Sequence, residues 1–192
     1  MDFSPETIFS VIIGIGLAAS VGFRIFVPLF ALSLASYFGI IPLNESWEWV
    51  GSSTAIIILG IATIVEILAY FIPWLDNLLD TIAIPLAAVA GTAVMVATVS
   101  NLDPTITWAL AIIAGGGTAT AIKGSTSTTR LASTASTAGI ANPIISTVET
   151  GTSIVMSVLA IFIPILAIIL VVFIFWILIK VFKLFRTSKS KK

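Results

Sequence analysis

From Thr150 to Ile179 the chain carries no Asp, Glu, Lys or Arg. A helix that packs on a soluble core shows one apolar stripe and one polar face. One that is apolar all round lies in a large core or in lipid. About 20 apolar residues suffice to cross a bilayer, so 150–179 reads as a long membrane span, with Pro164 as a kink. The composition agrees: 58% hydrophobic, 9% charged and a mean hydropathy of +1.18, against roughly 25% charged residues in soluble domains. The predicted fold class is all-α, a polytopic integral membrane protein.

The remaining apolar runs set the organisation. Residues 7–42 exceed one crossing but hold Gly22, Arg24 and Pro28 near the middle. A charge at mid-depth is costly, which favours a hairpin of two short helices with Arg24 near the turn. Residues 51–73 and 82–100 read as spans, and the acidic, Trp-bearing loop between 42 and 50 suits the headgroup level. Residues 105–143 read as a second interrupted, re-entrant-like hairpin, because 123–143 is rich in Ser, Thr, Ala and Gly between apolar flanks. Broken backbone at membrane depth is tolerated only where protein or water covers it.

A shift of 100 positions aligns Ile12 with Ile112, Gly16 with Gly116, Ser33 with Ser133 and Gly39 with Gly139. This is the mark of a weak internal repeat. It divides the chain into a first membrane repeat over 1–100, a second over 101–179 and a basic tail over 180–192. Interrupted helices from two repeats that meet near the midplane are the pattern of transporter-like folds.

Charge is unevenly spread. Six of the nine cations lie in 180–192 and all nine acids lie at or before Glu149. The positive-inside rule then sets the C-terminus in the cytoplasm. The tail reads as a topology anchor that touches anionic headgroups, not as a nucleic-acid binder. The N-terminus lacks a basic region before its first apolar run, so that run is expected to stay in the mature protein.

Candidate chemistry is confined to a few side chains. Absence of Cys and His removes thiolate and imidazole chemistry and the commonest zinc and haem ligands, and no cofactor is expected. Lys123 and Arg130 bracket GSTSTT, and cations with hydroxyls are the components of an anion or phosphate site. Arg24, Lys123, Ser125, Thr129, Arg130 and Asn142 are therefore the candidate solute-binding residues. The alternative is that the small residues only let helices approach closely. Glu66, inside a span, and Glu149, placed at the start of the last one, are candidates for proton or ion coupling. They serve equally as structural partners of the three cations. Asp76 and Asp80 share a helical face, either as an exposed interfacial pair or as part of an ion path. Two carboxylates under-fill a metal's oxygen shell, and no metal site is expected.

The motifs GFRIFVPL, VEILAYFIPWLDNLLD, GSTSTTRLASTA and ANPIISTVET resemble those of the bacterial membrane family catalogued as domain of unknown function 4126, over nearly the whole chain. Gly22, Arg24, Phe26 and Pro28 match its first motif. Glu66, Ile72, Pro73, Asp76 and Asp80 match the second, and Thr129, Arg130, Asn142 and Glu149 the third. Tyr70 and Phe71 stand where relatives tend to carry Asp-Lys, and Lys123 where they tend to carry His. The resemblance implies a multi-pass protein of the bacterial inner membrane and assigns no activity. The leading expectation is a small transporter or channel for an anionic or phosphate-bearing solute. A non-catalytic scaffold or homo-oligomer subunit is the alternative, and a lipid-phosphate hydrolase using Glu66 as base is the third.

Overall fold

The computed structural model describes residues 4–189, with the side chains of Pro73, Trp74, Asn77, Val181, Phe182 and 184–189 left aside. Of the basic tail assigned to 180–192, residues 190–192 lie outside the described residues. No strand occurs among the described residues, and helices account for almost all of them.

Proline and short polar caps fix where the helices begin. Helix α1 (Pro5–Val21) starts on Pro5 with Ser4 accepting from the Thr7 N–H. A break at 22–25 leads to α2 (Phe26–Tyr37). A short 3-10 turn (Glu45–Gly51) precedes α3 (Ser53–Ala69), capped by Ser52, and α4 (Pro73–Thr98) opens on Pro73. Asp103 caps α5 (Pro104–Leu110), which passes through a π turn (Ala111–Gly116) into α6 (Gly117–Thr137). Helices α7 (Asn142–Phe162) and α8 (Pro164–Lys189) follow. Proline at a first helical turn sacrifices no hydrogen bond, because that N–H has no intrahelical partner.

Three helical stretches are long and apolar enough to cross a membrane: Leu78–Thr98, Pro104–Thr137 and Asn142–Phe162. A fourth counts if Glu45–Gly51 and Ser53–Ala69, bent by 66°, form one span. Helix α1 occupies the middle, packing on α4, α6, α7 and α8. Leu17, Ala18 and Val21 join Val94, Ala97 and Ala160 in the core. Large apolar side chains on α3 and α8, among them Ile57, Ile61, Phe173 and Trp176, are exposed on the outside, as a lipid-facing wall requires. The chain is a polytopic all-α membrane protein.

Several boundaries differ from the sequence reading. The expected hairpin over 105–143 is helical without a break from Pro104 to Thr137, and the chain reverses only at 138–141. The glycines that suggested an interruption serve close contact instead. A Cβ on Gly115 would stand 2.5 Å from the Gly91 carbonyl oxygen of α4, and one on Gly91 would stand 2.5 Å from the Ala119 Cβ. Small residues at such crossings let membrane helices approach without breaking them. The reversal itself needs left-handed backbone, at Ala138 (φ 52°) and Gly139 (φ 84°). The span expected at 82–100 begins at Pro73, and the one at 150–179 is two helices that part at Ile163, before Pro164. Glu149 consequently lies two turns inside α7, not at a helix start.

Candidate functional site

Two polar stripes are written into α6 and α7. On α6, Lys123, Ser127, Arg130 and Thr134 recur at the three- and four-residue spacing that shares a helix face, and the first three are buried. On α7 the buried stripe is Asn142, Ser146, Glu149, Ser153 and Ser157. Both face the break at 22–25, which carries Arg24, and the end of α3, which carries Glu66 and Tyr70.

These residues form one cluster around the Tyr70 ring. The Arg24 guanidinium carbon lies 3.9 Å from the ring centroid, that of Arg130 4.5 Å and Lys123 Nζ 5.2 Å. Lys123 Nζ also donates to the Tyr70 hydroxyl at 3.2 Å. All three cations are at most 1% exposed. A ring face attracts cations, worth about 2 kcal/mol when desolvated, but three buried charges of one sign also need carboxylates.

Glu149 supplies the first of these. Its oxygens accept from Arg130 Nε at 3.1 Å and from Nη2 at 2.6 Å, and Arg24 Nη2 lies 3.6 Å from the same carboxylate. Asp76 accepts from Arg130 Nη1 through Oδ1 and from Asn142 Nδ2 at 3.1 Å through Oδ2. Arg24 is held further by α7, through Thr150 Oγ1 at 2.9 Å and the Ser146 hydroxyl and carbonyl. Glu66 turns the other way. Its two oxygens accept from the Ile25 and Phe26 N–H groups at 2.8 and 2.9 Å, capping the start of α2 from another helix. The carboxylate that a hydrolase would use as base therefore has both oxygens engaged.

The expected residues divide cleanly. Arg24, Glu66, Asp76, Lys123, Arg130, Asn142 and Glu149 converge, and Asp80 lies within electrostatic reach of Arg130 and Lys123. Asp76, considered as part of an exposed face, is 2% exposed, because α4 starts early enough to turn it inward. Ser125 and Thr129 do not join the cluster. They lie on the outer side of α6 and donate to their own helix, at the Ala121 and Ser125 carbonyls, which is how a hydroxyl meets its hydrogen-bonding need in lipid. Sequence reasoning missed Tyr70, Ser146 and Thr150. The latter two share the helical spacing of Glu149, and Tyr70 lies one turn past Glu66.

Not every polar atom of the cluster is satisfied. Among the described residues, Arg24 Nη1, Asp80 Oδ1, Ser127 Oγ and Asn142 Oδ1 are buried without a hydrogen-bond partner. Beside the cluster, under the 138–141 reversal, lies a cavity of about 280 Å³ walled in part by Tyr70, Asp76, Thr134 and Asn142. No group of three or more acidic side chains that could hold a metal ion occurs among the described residues.

A family model described as "Domain of unknown function (DUF4126)" matches residues 11–184. No curated protein and no solved structure matches the chain.

Proposed function

The chain belongs to the DUF4126 family, and we propose that it is a small membrane transporter or channel for an anionic or phosphate-bearing solute, with Arg24 as the residue that meets the solute. The observation that carries this reading is the unequal hold on the two guanidinium groups. Arg130 is fastened by Glu149 and Asp76. Arg24 has only a 3.6 Å contact to Glu149, and its Nη1 is buried with no partner. Since Glu66 is balanced by the positive end of α2, three carboxylates remain against three cations. An anionic oxygen would enter by replacing the long Arg24–Glu149 contact, leaving Arg130 in place.

In this reading the halves 1–100 and 101–179 act as two repeats whose polar segments meet at Tyr70. The protein sits in the bacterial inner membrane, with the cations of 180–192 keeping the C-terminus cytoplasmic.

The scaffold reading has its own support: none of the three cations is among the residues lining the cavity, and Arg130 is fully paired. Uptake of radiolabelled phosphate, sulfate and glycerol phosphate into proteoliposomes separates the two. Saturable uptake that falls at least tenfold in Arg24→Gln, with melting little changed, supports transport. No uptake above empty vesicles, with Arg24→Gln lowering only stability, supports the scaffold.

A further inference from the structure

We propose that the cavity beneath the α6–α7 reversal is a binding site for a small monovalent cation of the alkali class. This goes beyond the anion reading and does not depend on it.

The walls of the cavity present oxygen. Asp76 and Thr134 line it, and so does Asn142, whose side chain is oriented by its own bonds. Asn142 Nδ2 donates to Asp76 Oδ2 at 3.1 Å and to Thr134 Oγ1 at 3.0 Å. Turning the amide over would set its oxygen against the carboxylate, so Nδ2 must stay on that side. Oδ1 is left buried without a partner, in a residue only 8% exposed. An acceptor in that state costs free energy unless something positive or a hydrogen-bond donor meets it. The C-terminal end of α6 adds its negative partial charge at Ala138 and Gly139.

The same walls define the ligand. Arg24, Lys123 and Arg130 are not among the lining residues, and an anion here would face Asp76 and an amide oxygen. A divalent ion asks for several carboxylates, whereas this cavity offers one, whose other oxygen already holds Arg130. A single charge with modest demands is what remains. Asp76 Oδ2, Asn142 Oδ1 and Thr134 Oγ1 supply part of an oxygen shell. Water completes it, since about 280 Å³ exceeds the roughly 30 Å³ share of one water several-fold. The Tyr70 ring adds no cation site of its own, because Arg24 and Arg130 already lie against it.

The test is direct binding to the purified full-length protein, with no flux needed. Melting is followed in sodium, potassium and N-methylglucamine chloride at equal ionic strength, alongside retention of radioactive sodium and rubidium. The expected result is a saturable rise of about 5 °C in one alkali salt relative to N-methylglucamine. Its half-saturating concentration should increase about tenfold in Thr134→Val, which removes one oxygen and little volume. Asn142→Ser should weaken binding similarly. Equal melting of the wild type in all three salts would overturn the site, and so would alkali stabilisation that both folded variants retain in full. Phosphate uptake can succeed or fail independently of either outcome.

Discussion

Glu66 of α3 caps α2: its carboxylate accepts the Ile25 and Phe26 N–H groups at 2.8 and 2.9 Å, across 41 and 40 positions of sequence. A helix start buried in a membrane protein has no water to satisfy its free N–H groups. A carboxylate from a neighbouring helix satisfies two of them, and its charge suits the positive helix end.

Glu66→Gln keeps the shape but presents one oxygen and one NH2 group, so one of the two N–H groups faces a donor. A loss of about 1–3 kcal/mol is expected, read as a lower melting temperature in detergent. Glu66→Asp, which keeps two oxygens on a shorter stem, should fall between Gln and wild type.

Tyr70 separates a ring effect from a hydroxyl effect. Tyr70→Phe removes only the 3.2 Å bond from Lys123 and should cost roughly 1 kcal/mol. Tyr70→Leu removes the surface against which Arg24 and Arg130 lie, and should cost about 2–4 kcal/mol from two lost cation–ring contacts and a cavity. Melting curves that ranked Phe below Leu would contradict the central role of the ring.

Arg130→Gln strands two buried carboxylates, Asp76 and Glu149, and should cost about 3–5 kcal/mol, enough to abolish stable expression. Arg130→Lys keeps the charge but cannot reproduce the fork that meets both acids. It should retain folded protein with a clearly lowered melting temperature.

The glycines of the π turn and α6 should differ sharply. Gly115→Ala drives a methyl group to 2.5 Å from the Gly91 carbonyl oxygen and should destabilise by roughly 1–3 kcal/mol. Gly117→Ala meets nothing within 4 Å and should raise stability by about 0.5–1 kcal/mol through helix propensity. Ser125→Ala and Thr129→Ala should be nearly neutral in melting, because each hydroxyl serves only its own helix.

The membrane class and the first break were legible because hydropathy and a mid-run charge act locally: 7–42 divides at Arg24 as read, and Pro164 begins a helix. Convergence of Arg24, Lys123 and Arg130 with Glu66 and Glu149 was legible as a need for partners. How those partners would be shared was not. The extent of the second interruption was misjudged because Ser, Thr and Gly between apolar flanks suit a loop and a tightly packed helix equally. Only the fit of Gly115 against Gly91 decides for the helix. Asp76 was misjudged because its exposure depends on where α4 begins and on which side of it Arg130 lies, and both are tertiary facts. Tyr70 gave no signal, since an aromatic at the end of a span ordinarily marks the headgroup level.

Arg24 imposes an order of events during synthesis. The α7 groups that hold it, Ser146 and Thr150, follow it by 122 and 126 residues. At roughly 5–20 residues per second, ribosomes need several to about 25 seconds to deliver them. Through that interval a guanidinium destined for full burial has no partner on α7. The turn between the first two helices therefore stays at the aqueous boundary, and α1 settles to its final depth only after the seventh helix has entered the bilayer. Chains truncated before α7 should thus expose this turn to water-soluble labelling reagents, and the last step of biogenesis is the inward movement of the first segment made.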